Sequence, residues 1–192
     1  VLEIGVPYLT VYALSTENIT SRKPEELEAL FDLYVEGLND LAVDERILKN
    51  KVKVQVAGRK DLLPERVLTA IENTEKVTAE HDKFVFTVCL AYGSREEIIE
   101  AVRAIAADHA DGNIDLESID ESEISKRLWT GDMPDPDLVI RTSGEERISN
   151  FLLWQSAYAE YYFTDVYWPS FSRGDLLEAI EAYQQRKRRF GE

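Results

Sequence analysis

Phe84-Val-Phe-Thr-Val-Cys-Leu90 is a nearly unbroken run of apolar, β-branched and aromatic side chains. A run this short and this β-prone reads as a strand. Because it is continuous rather than alternating, it reads as a central strand covered on both faces. A turn at Gly93 then leads into a helix from Arg95 to Ala107, with Ser94 and Glu97 at capping-box spacing. Upstream, Pro64 and Glu65 open a helix to about Thr78. Before it, Val52, Val54 and Val56 alternate with Lys53 and Gln55, a strand with one wetter face. Further upstream lie a strand at Leu9 to Leu14, a polar loop from Ser15 to Lys23 and a helix from Glu25 to Val43. That helix carries Leu27, Leu30, Phe31, Tyr34, Leu38 and Leu41 at spacings of three and four, with Pro24 at its start.

Downstream, Asp108 to Asp120 is loop-like, and Ile124 to Trp129 reads as a short helix. Asp135 to Ile140 ends in a short strand, and Arg141 to Arg147 is a polar connection. Asn150 to Tyr158 reads as helical and Tyr161 to Val166 as extended; the last helix begins near Ser172, with Asp175 at capping spacing. Strands that alternate with helices of this length predict an α/β fold with a mostly parallel sheet flanked by helices. The 192 residues fit one globular domain, with two small ones as the alternative; a chain of this size buries enough surface to need no disulfide or zinc staple.

The charge is 22 basic against 37 acidic residues, a net of −15. That sign argues against non-specific binding of nucleic acid or anionic membrane, which needs a positive field. It leaves room for a small anion held by a few local arginines. The lone Cys89 in its apolar run implies a buried thiol in a reducing, cytoplasmic setting. Two histidines and one cysteine make a protein-built zinc site improbable. No stretch reaches the roughly 18 apolar residues of a membrane span, and no secretory signal is visible. The chain opens on Val1 rather than Met, so we expect the natural N-terminus to lie upstream.

Two polar loops follow strands directly, and in sheets of this kind ligands bind at the carboxyl ends of strands. Arg141-Thr-Ser-Gly-Glu-Glu-Arg-Ile-Ser149 sets two guanidinium groups and several hydroxyls around a glycine. Arginine forks match phosphate oxygens, and hydroxyls add donors. The plainer alternative pairs Arg141 and Arg147 with Glu145, Glu146 or Asp137. Ser15, Asn18 and Arg22 either bind a diphosphate, position a substrate proton, or serve an ordinary strand-to-helix loop. Glu160, inside an aromatic run, needs an arginine partner or a metal, and composition does not choose. The aromatics around it (Trp154, Tyr158, Tyr161, Tyr162, Phe163, Tyr167, Trp168) read as core or subunit interface. There is no Walker loop, G-x-G-x-x-G, G-x-S-x-G, H-E-x-x-H or D-D-x-x-D.

Taken together, these segments resemble the cis-prenyltransferase family. Leu9-Thr-Val-Tyr-Ala-Leu-Ser-Thr-Glu-Asn18 looks like that family's strand ending in S-x-E-N. Asp137-Leu-Val-Ile-Arg-Thr-Ser-Gly-Glu-Glu-Arg-Ile-Ser-Asn-Phe-Leu-Leu-Trp-Gln155 looks like its main signature. Ala159 to Pro169 and the Arg189-Phe-Gly191 end fit as well. The resemblance implies a magnesium-dependent condensation of isopentenyl diphosphate with an allylic diphosphate, giving a new cis double bond. It assigns the diphosphate of isopentenyl diphosphate to Arg141, Arg147 and Ser149, and the reacting centre to Ser15, Asn18 and Arg22. Glu160 would help to organise magnesium. Arg189 and Gly191 would complete the partner subunit's site in a homodimer. An apolar tunnel would take the growing chain, with Ala13, Leu14, the helix from Glu25 and the strand from Phe84 as its wall; a packed core explains those residues equally. Any membrane contact would be peripheral, through the lipid product.

The resemblance has gaps. The family's D-G-N-G-R-W-A loop, which carries its magnesium aspartate and its ligands for the allylic diphosphate, is not in this sequence, and we expect it upstream. Ile19 stands where the family often has Trp, and Ala91-Tyr-Gly-Ser-Arg95 replaces N-Y-G-G-R. These variations look like the short-chain members, which suggests a short product. Enzymes of the same fold that couple isoprene units irregularly, and a non-catalytic partner subunit, are the alternatives. Such subunits typically lose the site arginines that are present here.

Overall fold

The structure, a computed structural model, describes residues 1–186 and forms two compact units, Val1–Met133 and Pro134 onward. The first holds β1 (Tyr8–Tyr12), α1 (Thr16–Ser21), α2 (Pro24–Val43), α3 (Glu45–Lys49), β2 (Val52–Ala57), α4 (Glu65–Val77), β3 (Phe84–Cys89), α5 (Ser94–Ala110) and α6 (Glu121–Ser125). β3 is central, pairing in parallel with β1 on one side and β2 on the other. Strands separated by helical crossovers make that arrangement natural. The α/β expectation therefore holds, and β3 takes the central place its composition predicts. Its coverage is less complete than expected: Thr87 and Cys89 are buried, whereas Phe84 to Phe86 are half-buried. β2 behaves as its alternation predicts, with Val52, Val54 and Val56 buried and Lys53 and Gln55 half-exposed.

The core of this unit gathers Leu14, Phe31, Leu38, Val56, Val67, Ile71 and Leu90, residues from β2, two helices and two strand-end loops. Helix α4 is tied to its neighbours by buried hydroxyls. Thr74 Oγ1 lies 2.8 Å from Leu38 O, and Thr78 Oγ1 accepts from Val54 N at 3.0 Å. Gly58, with φ 140°, lets the loop after β2 run beside the loop after β3; a Cβ there would stand 1.8 Å from Leu90 O.

Two short helices were not expected from the sequence. α1 forms within the stretch read as a polar loop because Ser15 caps it, and α3 forms because Asp44 accepts from Arg46 N. The short helix expected at Ile124 to Trp129 lies earlier, at α6, where Asp120 accepts from Ser122 N and Glu123 N. Ser94 is not the cap of α5. Gly93 holds that position without a side-chain bond, and Ser94 is the first helical residue.

The second unit holds β4 (Leu138–Arg141), β5 (Glu160–Phe163) and α7 (Arg173–Gln185). β4 and β5 pair in parallel, Arg141 opposite Phe163. α7 starts at Ser172 with a full capping box to Asp175, as its spacing predicts. Asn150 to Tyr158, expected to be helical, is a series of turns. Ser149, Asn150 and Leu152 have φ of 48°, 62° and 47°, and a right-handed helix cannot run through left-handed residues. Tyr158, Tyr167 and Trp168 are exposed, which removes them from the core.

Candidate active site

In the first unit, pairing continues past the ends of β1 and β3. Ala13 N and Leu14 N both donate to Cys89 O, Tyr92 N donates to Leu14 O, and Thr16 N donates to Tyr92 O. Ser15 forms a parallel bridge with Tyr92. The chain then turns straight into α1, and Ser15 Oγ accepts from Asn18 N at 3.1 Å. Ser15 and Asn18 are thus brought together at the carboxyl ends of two strands, where the sequence placed them. The Asn18 side chain is half-buried and makes no hydrogen bond among the described residues. Arg22 ends the same helix, but its guanidinium is exposed and paired with Glu26.

Around this turn lies a group of phenols and carboxylates. Tyr12 OH donates to Tyr92 O at 3.1 Å, and Thr16 Oγ1 to Glu96 Oε1 at 3.2 Å. Burial, with the Glu17 carboxylate adding to it, pushes the Tyr12 phenol well above its ordinary value, so it stays neutral. Tyr92 and Glu97 are both fully buried, and Tyr92 OH donates to Glu97 Oε1. The sequence missed both residues. The Ser94–Glu97 spacing, read as a cap, reflects a side-chain bond of 3.1 Å between the two. Leu14, expected in a tunnel wall, is 2% exposed within the packed core, and Ala13 packs against the same cluster. That placement favours core over tunnel.

In the second unit Arg141 is the last residue of β4. Ser143 N and Gly144 N donate to Val166 O and Thr164 O, both at 2.9 Å, which straps the following loop to the strand end of β5. Ser143 and Gly144 both have φ of 69°, and a Cβ on Gly144 would meet Asp165 Oδ1 at 2.9 Å. A cleft of about 350 Å³ lies here, lined by Gly144, Glu146, Phe163, Thr164 and Asp165. Arg147 is exposed and paired with Glu145, and Ser149 is exposed. Arg141 differs from Arg147: it is half-buried, and among the described residues no carboxylate pairs with it. The plainer alternative thus holds for Arg147 and fails for Arg141.

Glu160 opens β5 and accepts from Arg186 Nη1 at 2.6 Å, so the arginine alternative describes this carboxylate. No group of three or more His, Cys, Asp or Glu that could hold a metal occurs among the described residues. On their own these residues therefore do not make a metal centre. Arg189 and Gly191 lie outside the described residues. No helix among those described is long and apolar enough to cross a membrane.

The family model described as "Putative undecaprenyl diphosphate synthase" matches residues 1–191. The tritrans,polycis-undecaprenyl-diphosphate synthase (geranylgeranyl-diphosphate specific) of Methanopyrus kandleri is 55% identical over 190 residues, which are 99% of this chain and 70% of that protein. The synthase of the same name from Thermoplasma volcanium is 50% identical over 190 residues, 99% of this chain and 73% of that one. Among solved structures, lavandulyl diphosphate synthase from Lavandula x intermedia, in complex with dimethylallyl diphosphate, superposes with a TM-score of 0.92. It is 36% identical, covering 99% of this chain and 81% of that one.

Proposed function

The chain belongs to the undecaprenyl diphosphate synthase family of prenyltransferases, and from that premise we propose that it condenses isopentenyl diphosphate with geranylgeranyl diphosphate. The product is a Z-configured polyprenyl diphosphate, and diphosphate is released. The primer and a long product follow the names of relatives at 55% and 50% identity; they replace the sequence-based lean toward a short product. Both units would act as one catalytic domain, a reading supported by a single family model that spans residues 1–191.

One observation carries the proposal. A half-buried arginine, Arg141, has no carboxylate partner among the described residues of a chain whose net charge is −15. A guanidinium kept clear of so many acids is suited to an anion brought by the substrate. Arg141, Arg147 and Ser149 would hold the diphosphate of isopentenyl diphosphate, with Arg147 leaving Glu145 to do so. Ser15 and Asn18 would line the reacting centre, with Arg22 released from Glu26. Charge builds on the leaving diphosphate as the allylic C–O bond breaks, and donors fixed beforehand stabilise it more than mobile ones do.

Magnesium enters as the counter-ion of the diphosphate, since it binds through one or two carboxylates plus phosphate oxygens. Glu160 is the carboxylate offered to it, in competition with Arg186. Exposed Tyr158, Tyr167 and Trp168 support a homodimer, to which Arg189 and Gly191 of each chain would contribute. A cytoplasmic setting fits the buried Cys89 thiol, which burial holds far above its ordinary pKa and so unreactive.

The test is incubation of the intact protein with labelled isopentenyl diphosphate and magnesium, with dimethylallyl, geranyl or geranylgeranyl diphosphate as primer. Product sizing and double-bond geometry are the readouts. Elongation of geranylgeranyl diphosphate with Z geometry is expected. A branched product would indicate irregular coupling. Failure with every primer would overturn the proposal in favour of a non-catalytic partner subunit.

A further inference from the structure

We infer that Glu97 and Tyr92 are positioning residues for the turn that carries Ser15 and Asn18, so that the rate of the reaction depends on a carboxylate remote from the substrate. The inference rests on the reading that Ser15 and Asn18 line the reacting centre.

Glu97 sits in the first turn of α5 and is 0% exposed. A buried carboxylate is costly unless its oxygens are met by donors. Here they are: Oε1 accepts from Tyr92 OH and from Ser94 Oγ at 3.1 Å, and Oε2 accepts from Trp129 N at 3.2 Å. The Tyr92 ring is held as well. It meets the Tyr12 ring edge-on at 5.8 Å and the Trp129 ring at 5.6 Å. Its hydroxyl and its ring are therefore both fixed.

The main chain of Tyr92 holds the active turn. Its N–H donates to Leu14 O at 3.0 Å, and its carbonyl accepts from Thr16 N at 3.1 Å and from Tyr12 OH at 3.1 Å. One buried residue thus joins the Glu97 carboxylate to the segment that sets Ser15 at the head of α1. Packing alone does not call for this network, because apolar side chains of similar volume would fill the space without desolvating a carboxylate. Geometry does call for it, since a displacement of about 1 Å at a reacting centre costs on the order of 100-fold in rate.

The experiment uses the intact protein with isopentenyl and geranylgeranyl diphosphates. Tyr92→Phe keeps the ring and loses one oxygen; Glu97→Gln keeps the shape and loses the charge. Each is expected to lower kcat by roughly 10- to 100-fold while leaving KM for isopentenyl diphosphate within about twofold. In an Asn18→Ala background, Tyr92→Phe should have no further effect on kcat, because the group it positions is gone. If Glu97→Gln fails to fold, Tyr92→Phe carries the test. A lowered melting midpoint with kcat per folded molecule unchanged would overturn the inference. So would an equal fall in kcat in both backgrounds. Wild-type kcat in Asn18→Ala alone would sink the reading of the reacting centre and this inference with it. A failure confined to the Tyr92 and Glu97 variants leaves that reading standing.

Discussion

The loop after β1 and the loop after β4 both leave the carboxyl end of a parallel strand, yet they are held in opposite ways. The first is an extension of the sheet, with Leu14 and Thr16 bonded to the main chain of buried Tyr92. The second is strapped at its start through left-handed Ser143 and Gly144, and then runs through exposed Arg147 to exposed, left-handed Ser149. The lesson is a division of labour. If the proposed roles hold, the neutral group that must meet reacting atoms sits in the more fully bonded frame, while the charged groups that would grip a diphosphate sit on a loop with fewer main-chain ties, because Coulomb attraction tolerates small displacements. Arg141 lies on the strand itself, and Arg147 on the exposed part of the loop.

Four changes would break or sharpen this contrast. Leu14→Ala should cost the most, about 2–5 kcal/mol of unfolding free energy, read by urea denaturation; a cost below about 1 kcal/mol would mean that Leu14 faces an open channel after all. Arg141→Ala should raise KM for isopentenyl diphosphate by roughly 10- to 100-fold, the value of a charged hydrogen-bonding group. The KM for the allylic diphosphate should move far less, and equal weakening of both would refute the assignment. Gly144→Ala forces an L-residue into the left-handed region beside Asp165 and should cost about 1 kcal/mol. An unchanged melting midpoint would show that the strap has slack.

The smallest effect concerns α7. The Ser172 hydroxyl and main chain hold the Asp175 carboxyl below its ordinary value of 3.8. A depressed folded-state pKa contributes stability above the unfolded value, lost as pH falls through the folded one. Acid titration of helicity should therefore show a slight loss below about pH 4 that disappears in Asp175→Asn. An identical titration of the two proteins would exclude the contribution.

The sheet was legible because β-branched runs such as Val52 to Val56 and Phe84 to Leu90 carry their own signal. α1 was not, because Ser15 and Asn18 are good turn formers and good caps alike, and only the bonds to Tyr92 decide between the two. The segment after Ser149 was misread for a related reason. Leu152, Gln155 and Ser156 are buried at helical spacing, but tertiary contacts impose left-handed residues that no local pattern announces. Among the candidate residues, motifs singled out Asn18 in the first unit and Arg141 and Arg147 in the second. They did not say which arginine has no carboxylate partner among the described residues, because partner choice depends on how side chains are aimed. Glu97 was hidden for the opposite reason: its spacing to Ser94 had a familiar local explanation.

The guanidinium of Arg141, with which no carboxylate pairs among the described residues, has a thermodynamic consequence under its proposed role. An anion that docks there as proposed would supply a counter-charge that the described residues do not, so occupancy and folding would be linked. Inorganic pyrophosphate alone, with no hydrocarbon attached, should raise the melting midpoint in proportion to the logarithm of its concentration, turning a single arginine into a calorimetric reporter of its own vacancy.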